Sequence, residues 1–105
     1  MKQIKKYQDE NGKEPFQKWV EGLDILTQSK IYAYIDRIAL GAAKKNIKPV
    51  GEGVFEIKID YGPGYRVYFG EIIKTIVLLL LGGDKKSQKR DIIRAITFWR
   101  DYEQK

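Results

Sequence analysis

Lys58, Arg66 and Lys85 are the residues of this 105-residue chain whose type and spacing best suit chemistry, with Glu56, Tyr68 and Asp91 as neighbours in the sequence. The chain has no histidine and no cysteine, so the commonest general base and the commonest thiol nucleophile are both missing. No Ser-centred triad can be assembled. Glu56 and Asp60 stand four strand residues apart, roughly 13 Å, whereas the paired metals of a two-metal site sit about 4 Å apart. Gly82-Gly83-Asp84-Lys85-Lys86-Ser87 only superficially resembles a phosphate loop, and Walker and dinucleotide motifs are absent.

The remaining toolkit of Lys, Arg, Tyr, Asp and Glu suits metal-free cleavage of a phosphodiester in RNA. There the 2′-hydroxyl attacks the adjacent phosphate, so one proton must be removed, a crowded phosphorane stabilised and the leaving oxygen protonated. Arginine presents planar donors matched to phosphate oxygens, and a lysine among other cations has its pKa lowered toward a useful range. Each candidate also has a plain structural alternative. Arg66 or Lys58 can pair across strands with Glu56 or Asp60, and Lys85 with Lys86 can be a solvated turn.

These residues need a sheet to position them. In the stretch 54–60, Phe55, Ile57 and Ile59 alternate with Glu56, Lys58 and Asp60, the period-two pattern of a strand with one buried and one open face. Tyr65, Val67 and Phe69 repeat the inward side, with Arg66 and Tyr68 pointing the other way. Asp60-Tyr61-Gly62-Pro63-Gly64 supplies turn chemistry between them. Pairing across the hairpin puts Lys58 opposite Arg66 or Tyr68, so Glu56, Lys58, Asp60, Arg66 and Tyr68 share the open face. Thr75–Leu81 is a continuous apolar run, expected as a strand buried on both faces at the sheet centre. It delivers Asp84, Lys85 and Lys86 to the rim. Ile72 and Ile73, between these two strands, either extend them or form an exposed apolar spot.

Residues 2–7 read as a lysine-rich edge strand, broken by Asn11 and Gly12. Pro15 suits the first turn of a helix whose face is Phe16, Trp19, Val20 and Leu23. Thr27 is the expected N-cap of a second helix with Ile31, Ile35, Ile38, Ala39 and Ala42 inward, ending near Gly41. Lys44–Gly53 reads as a basic loop. Ser87 is the expected N-cap of a last helix carrying Ile92, Ala95, Ile96, Trp99 and Tyr102 on one face. The expected fold is α+β in the order β-α-α-β-β-β-α, a mainly antiparallel sheet packed against helices, as one domain over 1–105.

Composition sets the class. Hydrophobic residues make up 43% and charged residues 32%, as in a globular protein, and Ile76–Leu81 is far below the roughly 20 residues of a membrane span. No secretory signal is read, and the lack of cysteine makes a reducing cytoplasm the default compartment. The net charge of +6 suits a polyanion such as nucleic acid, or merely solubility.

Taken together, the residues resemble the RelE/ParE superfamily of bacterial toxins and, within it, the HigB-like addiction module killer branch. The resemblance spans nearly the whole chain. It is carried by Phe16 and Trp19, Arg37 and Ile38 with Gly41, Glu56-Ile57-Lys58, the run from Gly62 to Phe69, Leu78-Leu79-Leu80 followed by Gly82 to Lys85, and Ser87-Gln88 with Asp91-Ile92. It implies a toxin that cleaves messenger RNA on the ribosome and is silenced by a cognate antitoxin, without a cofactor. By the same resemblance Arg66 is the phosphate-stabilising arginine, Lys58 the strand lysine of the acid-base step and Lys85 the cation ahead of the last helix. Better-known members have an aromatic residue or histidine where this chain has Arg90 and Asp91. Asp91 is therefore either a base, a group that orients Lys58, or an ordinary first-turn carboxylate. Glu56 stands where some relatives have a second lysine. The expected catalytic residues are Lys58, Arg66, Lys85 and Asp91, and the expected substrate contacts Glu56, Tyr68, Lys44, Lys45 and Lys86. A gyrase-directed toxin and a non-catalytic RNA- or ribosome-binding module are the alternatives.

Overall fold

The structure, a computed structural model, describes residues 1–42 and 44–105. Strand β1 (Gln3–Lys6) precedes helices α1 (Pro15–Glu21) and α2 (Ile25–Ala39). Strands β2 (Ile47–Gly51), β3 (Val54–Ile59), β4 (Tyr65–Ile72) and β5 (Ile76–Gly83) follow, and helix α3 (Gln88–Glu103) comes last. The α+β class holds, but the expected order lacked one strand. The presumed basic loop is a 3-10 turn, Lys44–Asn46, running into β2. Pro49 hides this strand from sequence reading, because a residue without an N–H is tolerated in a sheet mainly at an edge. β2 is such an edge: the order is β1-β5-β4-β3-β2.

The β2–β3, β3–β4 and β4–β5 pairs are antiparallel, and β1 runs parallel to β5. β5 is buried on both faces along nearly its whole length, as its apolar run requires. The middle strand is nevertheless β4, because the additional fifth strand, β2, extends the sheet on the far side of β3.

Alternation sorts the side chains of β3, β4 and β5 onto two faces. On one, Ile57, Ile59, Val67, Phe69, Val77 and Leu79 meet Phe16 and Val20 of α1 and Ile31, Ile35 and Ile38 of α2. On the other, Val54, Tyr68, Leu78 and Leu80 meet Ala95 and Trp99 of α3. The second face is therefore not open as expected. Helix α3 packs on it through the stripe read from the sequence, and only the part around Lys58 and Asp60 stays exposed. One tryptophan presses on a glycine from each side. A Cβ on Gly82 would stand 2.1 Å from the Trp19 ring, and one on Gly70 would stand 2.2 Å from the Trp99 ring.

One helix start differs from expectation in position, and the other, at the expected N-cap residue, lacks a side-chain capping bond. α2 begins at Ile25 with Asp24 as N-cap, and Thr27 lies inside the first turn, its hydroxyl donating to the Asp24 carboxylate. Ser87 does precede α3, but its side chain caps no backbone N–H of that helix. At the β4–β5 turn, Ile72 belongs to the strand and packs partly on the α3-side cluster. Ile73 and Lys74 form the turn itself at φ 52° and 59°, the left-handed pair that tight hairpins favour.

Candidate functional site

The strand register assembles the site. Lys48 of β2 pairs with Glu56 of β3, and Glu56 with Tyr68 of β4. In the next row Lys58 pairs with Arg66, and Arg66 with Gly83 of β5. Directly paired residues share a face, so this set looks toward the α3 side. Lys45, Asn46, Lys48, Glu56, Lys58, Asp60 and Arg66 line a groove of about 430 Å³ at the rim of the sheet.

Glu56 is its hub. The carboxylate is 2% exposed, and a buried charge persists only with partners. Gln88 Nε2, from the first turn of α3, donates to Glu56 Oε2 at 2.9 Å, while Lys48 Nζ and Arg66 Nε both stand 3.7 Å from Oε1. Those 3.7 Å contacts are electrostatic and too long for hydrogen bonds. Arg66 is 6% exposed, and its Nη1 donates to the Gly64 carbonyl at 2.6 Å. Its Nε has no hydrogen-bond partner. Such a desolvated donor costs about 1–3 kcal/mol until an acceptor reaches it.

Lys58 is exposed, and among the described residues no carboxylate lies within ion-pair distance of it. Asn46 steadies this rim by donating to the Lys58 carbonyl at 2.9 Å and to Asp60 Oδ2 at 3.0 Å. Lys85 comes close through the β3–β4 turn. A Cβ on Gly64, whose φ is +78°, would stand 3.3 Å from Arg66 Nη1 and 3.9 Å from Lys85 Cβ. Lys85 and Lys86 are both exposed.

Not every expected residue joins this group. Tyr68 is 0% exposed, so it meets no substrate directly. Burial first, and then the adjacent Glu56 carboxylate, push its phenol well above the ordinary range, so the ring stays neutral. Its hydroxyl has no partner at hydrogen-bond geometry. Lys45 lines the groove, whereas Lys44 lines a separate cavity on the α2 side with Phe55 and Phe69. Asp91 lies against Gly83, where a Cβ would come within 1.9 Å of Oδ2. It accepts from Ser87 Oγ at 2.5 Å and lines a different groove from Lys58 and Arg66. That geometry suits a carboxylate anchoring the start of α3.

Lys48, Asn46 and Gln88 were not foreseen. The signal for the first two was the alternation of Ile47, Pro49 and Gly51 with Lys48 and Val50, obscured by the proline and glycine. Gln88 entered only as part of the Ser87-Gln88 motif, since its place in the site comes from the tertiary contact with Glu56.

The fold and the groove define a small, basic α+β protein with a buried arginine at a cationic rim. Residues 18–100 match the family described as Phage derived protein Gp49-like (DUF891), and the chain belongs to that family. It is a toxin-like family, related to toxins of the RelE/HigB type, and membership implies a cognate antitoxin. A protein of Haemophilus influenzae described as uncharacterized is 42% identical over 81 residues, covering 76% of this chain and 81% of that one. Among the described residues no helix is long and apolar enough to cross a membrane.

Proposed function

We propose that this protein is the HigB-like toxin of a type II toxin–antitoxin pair, acting as a ribosome-dependent, metal-free messenger RNA endoribonuclease in the cytoplasm. The observation that carries the reading is the Arg66 guanidinium. It is buried at a cationic groove, fixed by the Gly64 carbonyl and left with an unpaired Nε. A substrate phosphate is drawn to this groove by the charge of Arg66, Lys48 and Lys85.

The 2′-hydroxyl oxygen then bonds to phosphorus as its proton passes to the Glu56 carboxylate, or to Lys58 in its neutral amine form. Negative charge gathers on the phosphorane oxygens facing Arg66. The bond to the 5′-oxygen breaks as that oxygen takes a proton from Lys85, leaving a 2′,3′-cyclic phosphate and a free 5′-hydroxyl. Lys58 is the freer amine and Glu56 the only buried carboxylate of the groove, and a pH–rate profile of each alanine variant separates them.

The test is a transcriptome-wide map of new 5′ ends after brief induction in a bacterial host. Cuts within translated frames that keep a codon phase are expected for the wild type. Arg66→Ala should lose them by about 10²-fold to 10⁴-fold, the usual worth of charge stabilisation or acid-base help. Full toxicity in a folded Arg66→Ala protein overturns the role. A non-catalytic ribosome-binding protein is the second reading, favoured by the proximity of Glu56 to Arg66. Ribosome binding without new ends supports it, and arrested supercoiling instead points to gyrase.

A further inference from the structure

Two buried donors beside one carboxylate have no acceptor. Arg66 Nε and Tyr68 Oη make no hydrogen bond, although Tyr68 is the direct strand partner of Glu56 and Arg66 Nε stands 3.7 Å from Glu56 Oε1. An ionised carboxylate has room for about four hydrogen bonds, so the shortage is one of position rather than of capacity. Buried donors are nearly always satisfied, and an exception calls for a reason.

Gln88 supplies that reason. Its Nε2 donates to Glu56 Oε2 at 2.9 Å, and among the described residues this is the one hydrogen bond that the carboxylate accepts. Lys48 Nζ, like Arg66 Nε, stays 3.7 Å from Oε1. The Glu56 backbone cannot move toward these donors, because β3 is paired on both sides, with β2 and with β4. Only the side-chain torsions decide where Oε1 stands. Gln88 is itself fixed: it opens α3, its N–H reaches the Lys85 carbonyl at 3.4 Å, and the helix packs on the sheet through Ala95 and Trp99.

Closing the Arg66–Glu56 contact from 3.7 Å to the roughly 2.8 Å of a charge-assisted hydrogen bond needs a shift of about 0.9 Å. The neutral Tyr68 phenol draws a carboxylate less than a guanidinium does, so Arg66 is the partner that a released Glu56 takes. We infer that Gln88 is a positioning residue that holds Glu56 back from Arg66 and so keeps the guanidinium Nε open for a phosphate oxygen. Without the Gln88 amide, Glu56 closes on Nε and fills the place of the phosphate. The arrangement gives up a stabilising contact to keep a donor ready, as functional sites do. A merely structural Gln88 behaves in the opposite way: its loss loosens α3 and leaves Nε as it was. The inference rests on the reading of Arg66 as the phosphate site.

The test reads the Arg66 Nε–H of the full chain by proton–nitrogen correlation NMR, the signal being assigned by its loss in Arg66→Lys. Gln88→Met keeps the side-chain length and removes the donor. Its Nε–H signal should move downfield on gaining an acceptor, while the melting midpoint holds or rises. Gln88→Ala removes the same donor with a residue that favours helices, and should read alike. Inorganic phosphate should shift the wild-type signal, and both variants should need about tenfold more of it, the scale of one charged hydrogen bond that must open first. Cleavage of ribosome-bound message should slow by a similar factor. A signal unmoved in both folded variants overturns the proposal, as does an unchanged phosphate affinity beside a shifted signal. A lower melting midpoint with the signal in place also overturns it and makes Gln88 an anchor of α3 alone. If Arg66→Ala loses codon-phased cutting while Gln88→Met cuts like wild type, the nuclease reading survives and this one falls. If the signal and the phosphate affinity shift as expected in a protein that cuts nothing, the hold on Glu56 stands and the nuclease reading falls.

Discussion

The two faces of the sheet do different work with nearly the same strands. The α1/α2 face carries a continuous apolar cluster from Phe16 and Ile31 to Phe69 and Leu79, with the half-buried Lys2–Glu71 pair at its margin. The α3 face is divided along the strands. Its Trp99 end is packed with Leu78, Leu80 and Ala95, and its other end holds Glu56 and Arg66 buried beside exposed Lys58. A buried ion pair is weak evidence for stability, whereas closely packed aliphatic and aromatic side chains supply most of it. The difference teaches that one face secures the fold, which allows part of the other to hold charge that a folding optimum would replace.

Breaking the comparison on the apolar side should give the largest effect. Phe69→Ala should lower unfolding free energy by about 3–5 kcal/mol, read by chemical denaturation. Lys58→Ala, exposed on the other face, should stay within about 0.5 kcal/mol of wild type while losing cleavage. Equal destabilisation by the two would erase the division of labour. Next comes Glu56. Glu56→Ala leaves Arg66 a buried charge with no counter-charge and should cost about 3 kcal/mol. Glu56→Gln keeps the shape and should recover much of it, so equal losses would mean that the cavity, not the charge, matters.

A smaller effect sharpens the boundary between the grooves. Gly83→Ala forces a Cβ against the Asp91 carboxylate and should cost about 1–3 kcal/mol by overpacking. Gly83→Ala/Asp91→Ala should recover stability if that contact is the cause, and a thermal melt shows whether it does.

The smallest effect lies at the far end of α3. Tyr7 Oη donates to Asp101 Oδ2 at 2.6 Å, and Lys105 Nζ stands 3.1 Å from the same oxygen. The Tyr7 hydrogen bond, with help from Lys105, holds the Asp101 carboxyl below its ordinary range, and burial followed by that bond pushes the Tyr7 phenol up. The depressed carboxyl stabilises above its unfolded pKa, near 4, and loses this as pH falls through its folded value. The raised phenol stabilises below about pH 10 and loses this as pH rises toward its folded value. Tyr7→Phe should therefore weaken the fold modestly between these limits and flatten both flanks of a stability–pH curve. A curve parallel to wild type would remove the link.

Much of the local arrangement was legible in the residues. Alternation put Lys58, Arg66 and Tyr68 on one side of the β3–β4 hairpin and Val67 and Phe69 on the other, because side-chain parity is a property of the strand itself. The stripes of α1, α2 and α3 and the buried run of β5 follow from local periodicity in the same way. Whether a face is open depends instead on what packs there. Only the folded chain brings α3 over Glu56 and Tyr68, turning an expected open face into a buried one. Sheet order placed Lys48 beside Glu56 through an edge strand that its own proline concealed. Gly83 lets Asp91 settle against the end of β5, in a different groove from Lys58. Each of these is a contact between segments distant in sequence, and no local pattern encodes which segments will be neighbours.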